Sequence, residues 1–417
     1  MTRHDTDVLI VGAGPAGLAS AIQLKQLGVA RVAVVDRESE PGGMPRLCHH
    51  TGFGVWDFHR LYTGPQYARR YAALARNAGV EIRTETTITG WKDERTLTFT
   101  SPQGLGEIEA AAILLATGVR ERPRAARLTP GYRPRGIFTT GSLQRFVDEQ
   151  HLPVGRRAVI VGAEGVSLSA FMTLTGAGLE VAAMLTELPR HQMYFPYSPA
   201  KWWLMDVAHH TPVRTGMRVQ RILGRKRVEG VEIRHLDDGR IEHIPCDTVV
   251  FTGDWIPENE VARKGDLDIV PGALGPRTDG GFRTSLPGVF AAGNLLRGAE
   301  TAATSAMEGR FAAASVVRFL QTQAWPEQRL PILASDPIIW AFPGSVSVGN
   351  EASQLKRISF RVRQFINDAE VQVRQGNKTL HRQTFSHLLP NETMHMQSDW
   401  LSRIDFDGDP PEIIISG

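Results

Sequence analysis

Residues 7–36 read DVLIVGAGPAGLASAIQLKQLGVARVAVVD, and they limit the possible fold more tightly than any other stretch. The run Val8-Leu9-Ile10-Val11 is apolar and largely β-branched, which predicts a buried strand. Gly12, Gly14 and Gly17 follow as G-x-G-x-x-G. Residues 15–27 have helical periodicity, opening on Pro15 and Ala16, and Gly28 ends the run. Residues 31–35 predict the next strand, with Asp36 and Arg37 at its end. In such a unit the first glycine permits a tight turn. The second lets backbone approach a pyrophosphate, and the third lets helix meet strand closely. Phosphates suit the free amides and positive end of the helix. Asp36 suits a ribose hydroxyl. The motif alone does not choose between NAD and FAD.

The 417 residues suffice for two or three domains. A net charge of +3 without a long lysine-rich tract gives no reason to expect a nucleic-acid face. The two cysteines, Cys48 and Cys246, exclude a dense disulfide scaffold and a four-cysteine metal site supplied by this chain alone. They form no C-x-x-C. The start lacks the pattern of a signal peptide, and its apolar run is broken by glycines and too short to span a membrane. A cytoplasmic location is therefore expected, with peripheral membrane docking still open.

The segment after Asp36 carries Gly42-Gly43, a turn or close backbone approach, and then Arg46, Cys48, His49, His50 and His59. Cys48, His49 and His50 are the catalytic candidates, on position alone. Adjacent residues rarely aim at one ion, so no metal site is expected. Cys48 equally suits a small buried residue. Residues 65–77 are helical, and 80–83 form a short strand. Residues 86–100 and 107–111 read as a small sheet. Residues 111–118, AAILLATG, predict a buried strand returning to the first sheet and ending at Ala116, Thr117 and Gly118. Residues 119–135, rich in Arg and Pro, read as a linker.

A second strand–turn–helix–strand unit begins at residue 157. Its motif is degraded: Gly162 keeps the first glycine, but Glu164 and Ser167 replace the second and third. Glu164 crowds the backbone approach and brings a repelling carboxylate to a phosphate site. Glu187 ends the next strand and could meet a ribose. The unit is expected to keep its fold while binding NAD(P) weakly or not at all. Tyr194, Phe195, Tyr197, Trp202 and Trp203 suit either a pocket or interface, or a core seam. Residues 218–245 read as β structure, and 248–254 as a strand ending in a glycine turn.

Residues 282–318 contain a strand, an AAGN turn and an alanine-rich helical run. Gly293 and Asn294 lie in the turn, and Asn294 can bond sugar or ribityl hydroxyls. Thr301 stands where the helix begins, with its positive end available to a cofactor. Beyond about residue 325 the alternation in 356–387, with 394–396 and 412–416, predicts a small β-rich C-terminal domain. It would cover an active-site mouth or dock a partner.

Together, IVGAGPAGLASA, Asp36, Gly42-Gly43, LLATG at 114–118, the second unit and VFAAGN at 289–294 resemble the two-dinucleotide-binding-domain flavoproteins, FAD/NAD(P)-dependent oxidoreductases. GGMPRLCHH and VGAEGVSLSA resemble, more narrowly, the FAD-binding alpha subunits of opine oxidase, hydrogen cyanide synthase and hydroxyproline or amino-acid dehydrogenase complexes. The resemblance implies an α/β fold with two Rossmann-like, glutathione-reductase-like domains. The FAD domain would span 1–120 plus 280–325, and the degenerate NAD(P)-binding-like domain 155–255. The β-rich domain would span 330–417. FAD would lie on Gly12, Gly14, Pro15, Ala16, Gly17, Asp36, Arg37, Gly42, Gly43, Ala116, Thr117, Gly118, Gly293, Asn294 and Thr301, with Asn294 replacing a common aspartate. Without C-x-x-C, disulfide reduction is disfavoured. The expected activity is oxidation of an amine or amino-acid donor, or relay of its electrons. The partner would be a second oxidoreductase subunit or an iron–sulfur protein, and a homo-oligomer is also open. The alternatives are a stand-alone NAD(P)H-dependent flavin oxidoreductase and a non-enzymatic electron-transfer subunit.

Overall fold

The computed structural model describes residues 2–195, 197–348 and 356–416. The chain divides into two compact units. One joins the N-terminal segment up to Arg46, Gly52–Val119 and the chain from Pro257 onward. The other is Leu47–Thr51 with Arg120–Ile256.

The first unit is built on a sheet in the order Glu81–Arg83, Val32–Val35, Thr2–Val11, Gly104–Leu115, Thr96–Ser101 and Thr87–Asp93. Val289–Ala291 also pairs with Gly104–Leu115, in parallel. Residues 8–11 pair in parallel with 32–35 and with 112–115. Every residue of Val32–Val35 and Val289–Ala291 is buried, as expected of parallel strands covered on both faces. The first helix, Pro15–Gln26, packs against Gly64–Asn77 and the long helix Ala302–Thr322. Its contact with the long helix is close: a Cβ on Gly309 would lie 2.1 Å from the Ala16 carbonyl oxygen.

Two strands expected at 107–111 and 111–118 are one, Gly104–Leu115. After two exposed residues its first part alternates between buried and half-buried residues and pairs antiparallel with Thr96–Ser101, whereas residues 112–115 are wholly buried beside Val289–Ala291. One continuous backbone changes environment midway, so its sequence changes period and reads as two elements.

The second unit has a parallel sheet in the order Ile137–Thr139, Thr248–Phe251, Arg157–Val161, Glu180–Leu185 and Val213–Arg214. An antiparallel sheet of Met217–Leu223, Gly230–His235 and Ile241–Ile244 accompanies it.

The C-terminal strands belong to the first unit. Two small sheets enclose Ile358, Phe360, Val371, Val373, Trp400 and Ile413. Their strand Ile338–Phe342 serves two cores. Ile338 and Ala341 face this local core, while Trp340 and Phe342 join the apolar cluster of the nucleotide-binding sheet. Trp340 and Phe342 share one face and Ala341 takes the other, while the register shift between Ile338 and Trp340 turns Ile338 to the Ala341 side. Among the described residues no helix is long and apolar enough to cross a membrane.

Candidate cofactor site

The glycine turn of the first unit is shaped by backbone contacts. Gly12 has φ +110°, and its Cβ would lie 2.3 Å from the Ala116 carbonyl oxygen. A Cβ on Gly17 would lie 1.9 Å from the Gly12 oxygen. Both positions therefore exclude side chains on grounds internal to the protein. Gly14 differs, because its Cβ would meet nothing nearer than the Gly43 Cα at 4.0 Å. The open face at Gly14 is the cradle that a dinucleotide pyrophosphate needs. Gly14 precedes a helix with Pro15 in its first turn, no side-chain cap and no acidic residue there. Its leading amides, including those of Ala16 and Gly17, remain suited to an anion.

The surrounding residues hold this cradle. Gly42 N–H donates to the Ala13 carbonyl at 2.8 Å, and Gly43 closes against Gly14. Asp36 accepts from Ala13 N–H at 2.6 Å and from Glu38 N–H at 2.9 Å. Burial raises its pKa against those donors. Each carboxylate oxygen keeps capacity for a ribose hydroxyl. Arg37 pairs with Glu258 at 3.0 Å. Ala116 N–H donates to the Val11 carbonyl, Thr117 Oγ1 donates to the Glu258 carbonyl at 2.7 Å, and the Gly118 carbonyl accepts from Glu258 N–H.

On the other side Gly293 lies against the first helix, where its Cβ would come within 2.7 Å of the Ala16 Cβ. Asn294 Oδ1 accepts from Glu300 N–H at 3.0 Å and Ser305 Oγ at 2.9 Å. Thr301 caps the long helix by accepting from Thr304 N–H at 3.1 Å. An open glycine cradle, an uncapped helix start and a polar amide beside it fit FAD.

The second unit repeats the turn with a different occupant. Gly162 N–H donates to Leu185 as Gly12 N–H does to Val35, each at 2.8 Å. Gln192 N–H bonds to Ala163 at 2.9 Å as Gly42 N–H bonds to Ala13. Yet Glu164 is only 8% exposed. Its carboxyl oxygens lie 2.9 Å from a Cβ placed on Gly162 and 2.8 Å from one placed on Gly253, so they fill that nook. The Tyr197 ring lies 3.4 Å from a Cβ placed on Gly165, the first residue of the helix Gly165–Gly176. Burial pushes the Glu164 acid upward in pKa, opposed by hydrogen bonding with Thr252 and Ser167 and by the Arg127 charge. Arg127 itself donates to the Thr252 and Gly253 carbonyls at 2.9 and 2.8 Å. The acid is turned inward, so its carboxyl takes up the volume of the nook between Gly162 and Gly253.

The family model described as pyridine nucleotide-disulphide oxidoreductase matches residues 6–309. The chain belongs to this family. It is an FAD-dependent oxidoreductase. An opine oxidase subunit of Agrobacterium tumefaciens (strain Ach5) is 27% identical over 348 residues, covering 76% of this chain and 67% of that protein. The opine oxidase subunit of the same name from Rhizobium meliloti is 29% identical over 339 residues, 75% of this chain and 62% of that protein. The chain thus spans about two thirds of the length of these relatives. Thioredoxin reductase of T. acidophilum shares the fold, with a TM-score of 0.64 at 22% identity over 76% of this chain and 98% of that one.

The residues after the first motif are not brought together as a reactive group. Burial pushes the Cys48 thiol up to about 12, and its sulfur lies 3.8 Å from Gln144 Oε1. Gln144 in turn donates to Ser169 at 2.9 Å. Such a thiol is protonated at neutral pH and weakly nucleophilic. His49 is exposed, and the His50 ring contacts the Thr51 carbonyl at 2.8 Å. Among the described residues these three belong to no group of ligand atoms close enough to hold one ion. In the aromatic segment Phe195, Trp202 and Trp203 are exposed, while Tyr197 is half-buried.

Sequence reasoning missed a charged layer behind the Asn294 loop. Arg297 and Glu308 form an ion pair with side chains 3% and 2% exposed. Glu308 also accepts from Gly293 N–H at 3.1 Å. The signal was present, since Glu308 shares a helix face with Ser305, Ala312 and Val316, which are buried. An acid in that stripe must have a buried partner. A second such group joins Asp57 to Tyr67 at 2.5 Å and to Arg310 at 3.3 Å.

Proposed function

We propose that this chain oxidises an amine or amino-acid donor through FAD held in the first glycine turn, or relays the electrons of such a donor within a complex. The observation that carries the reading is the contrast between the two turns. Gly14 leaves the first cradle open, whereas Glu164 fills the second and Tyr197 covers its helix start. Electrons would therefore arrive from a donor other than NAD(P)H on the second unit. The likeness to proteins named as opine oxidase subunits supports an amine-type donor and a partner protein. Such a partner, a second oxidoreductase subunit or an iron–sulfur protein, would accept the electrons in the cytoplasm.

Bound FAD supplies the two-electron acceptor. The chain's own part is placement. Amides at Gly14, Ala16 and Gly17 would hold the pyrophosphate, Asp36 the adenosine ribose, and Asn294 an oxygen of the flavin chain. Cys48 is not assigned a proton-transfer role, because desolvation of the half-buried residue pushes its thiol up to about 12.

Anaerobic stopped-flow mixing of the FAD-loaded protein with NADH, NADPH, amines and amino acids tests this reading. Bleaching of the flavin absorbance by an amine or amino acid is the expected result. Fast bleaching by NADH or NADPH, with none by the amine panel, overturns it in favour of a stand-alone nicotinamide-dependent reductase.

A further inference from the structure

We infer that Arg361, in the C-terminal strand Arg357–Val362, is a positioning residue for the flavin, holding Glu300 so that Asn294 presents its NH2 group toward the cofactor. The inference rests on the FAD placement proposed above.

The orientation of Asn294 follows from donor chemistry. Glu300 N–H can only donate, so the Asn294 atom facing it at 3.0 Å must be the carbonyl oxygen. Ser305 Oγ supplies a second bond to that oxygen at 2.9 Å. The NH2 group must then point away from both. A donor stands where the resembled family commonly carries an acceptor-only aspartate, and it selects an acceptor oxygen of the cofactor.

Glu300 is fixed from behind by the C-terminal sheets. Its carboxylate accepts from Arg361 Nη2 at 3.2 Å and from the Thr393 hydroxyl, and it lies 3.7 Å from Arg297 Nε. Arg361 also donates to the neighbouring Ala299 carbonyl at 3.3 Å and to Thr393 at 2.9 Å. Its guanidinium stacks 5.1 Å from the Trp340 ring, and that of Arg297 sits 4.2 Å from the Phe342 ring. The other end of the loop is held by Glu308, through Gly293 N–H and Arg297. The segment from Gly293 to Glu300 is thus gripped at both ends, and Arg361 reaches its Asn294 end through a single residue. This gives the C-terminal domain a role at the cofactor without requiring it to touch the cofactor.

The test is a double-mutant cycle on the full chain, using Asn294→Ala, Arg361→Ala, both together, and Arg361→Lys. FAD dissociation is read by recovery of flavin fluorescence, and the flavin midpoint potential is measured alongside. Asn294→Ala should weaken FAD binding about 10-fold, the worth of one buried hydrogen bond. Arg361→Ala should weaken it about 5-fold and shift the potential in the same direction as Asn294→Ala. The double variant should be no weaker than Asn294→Ala alone, because the two act on one contact. Arg361→Lys should restore most of the loss. Additive effects overturn the inference, as does a lower melting temperature with unchanged FAD affinity and potential. An Asn294→Ala protein with unchanged FAD affinity overturns the cofactor placement itself, and the inference with it. If Arg361→Ala does not fold, Thr393→Val removes a second contact to the same carboxylate and is read in the same way.

Discussion

Replacing Glu164 with glycine should open the second turn to a nicotinamide dinucleotide. The carboxyl now occupies the nook between Gly162 and Gly253 and is 8% exposed. Glycine would clear that volume and restore access to the leading amides of the helix Gly165–Gly176. One regained hydrogen bond from an amide to a charged phosphate is worth about 1.5–3 kcal/mol, or roughly 10- to 150-fold in affinity. Tyr197 still covers Gly165, so the gain should lie at the lower end, about 10-fold. The fold should lose only a few tenths of a kcal/mol, as glycine is tolerated at a helix N-cap. Glu164→Gln is the control, since it keeps the bulk and removes the ionisable group. Glutamine would fill the same nook as the carboxyl, so it should change affinity by less than about 2-fold. The assay is equilibrium titration of the FAD-loaded protein with NAD+, which does not reduce the flavin. Equal gains in the two variants would show that charge, not volume, is the obstruction. No gain in either, with FAD and melting temperature retained, would refute Glu164 as the obstruction altogether.

The same acid sets a pH dependence. Its folded pKa is raised by burial above the ordinary 4.5, so the folded chain holds the proton more tightly and stability is lost as pH rises through the folded value. Glu164→Gln should therefore gain on the parent in denaturant melts above about pH 4.5 and not below it. Arg297→Met leaves Glu308 buried without its partner and should cost about 3–5 kcal/mol. Adding Glu308→Leu should recover most of that loss, and a double variant as weak as the single would contradict the account. Gly14→Ala should fold normally and lose FAD affinity at least about 10-fold, by displacing one charged hydrogen bond. Cys48, with its thiol near 12, should resist iodoacetamide in the folded chain at pH 8, and mass spectrometry showing labelling at the rate of a free thiol would overturn that.

Much of the nucleotide-binding architecture was legible because it depends on local rules. The runs around Val8–Val11 and Val32–Val35 are buried on both faces, and such strands carry continuous apolar sequence. Gly12 and Gly17 were legible because tight turns and close helix–strand contact admit only glycine. Where one element changes surroundings along its length, legibility fails. The strand Gly104–Leu115 read as two for that reason. The short strand Ile137–Thr139, just beyond the Arg- and Pro-rich stretch 119–135, went unread because three residues carry too little pattern.

The candidate site divides in the same way. Glu164 at the second glycine position was visible as a departure in the sequence, but its inward turn was not. That turn depends on the space left between Gly162 and Gly253, which lie on separate strand ends. Cys48 was a candidate because it follows a cofactor motif, and only the fold sets it half-buried beside Gln144, where desolvation pushes its thiol up to about 12. The two dinucleotide-type turns, the FAD motif and the breakdown of its echo follow from local sequence, because each depends on residues adjacent in the chain. The inward turn of Glu164, the Arg297–Glu308 pair and the route from Arg361 to Asn294 came only with the folded chain. Those depend on burial and on contacts between residues as far apart in the chain as Glu300 and Arg361, and neither can be read from local spacing.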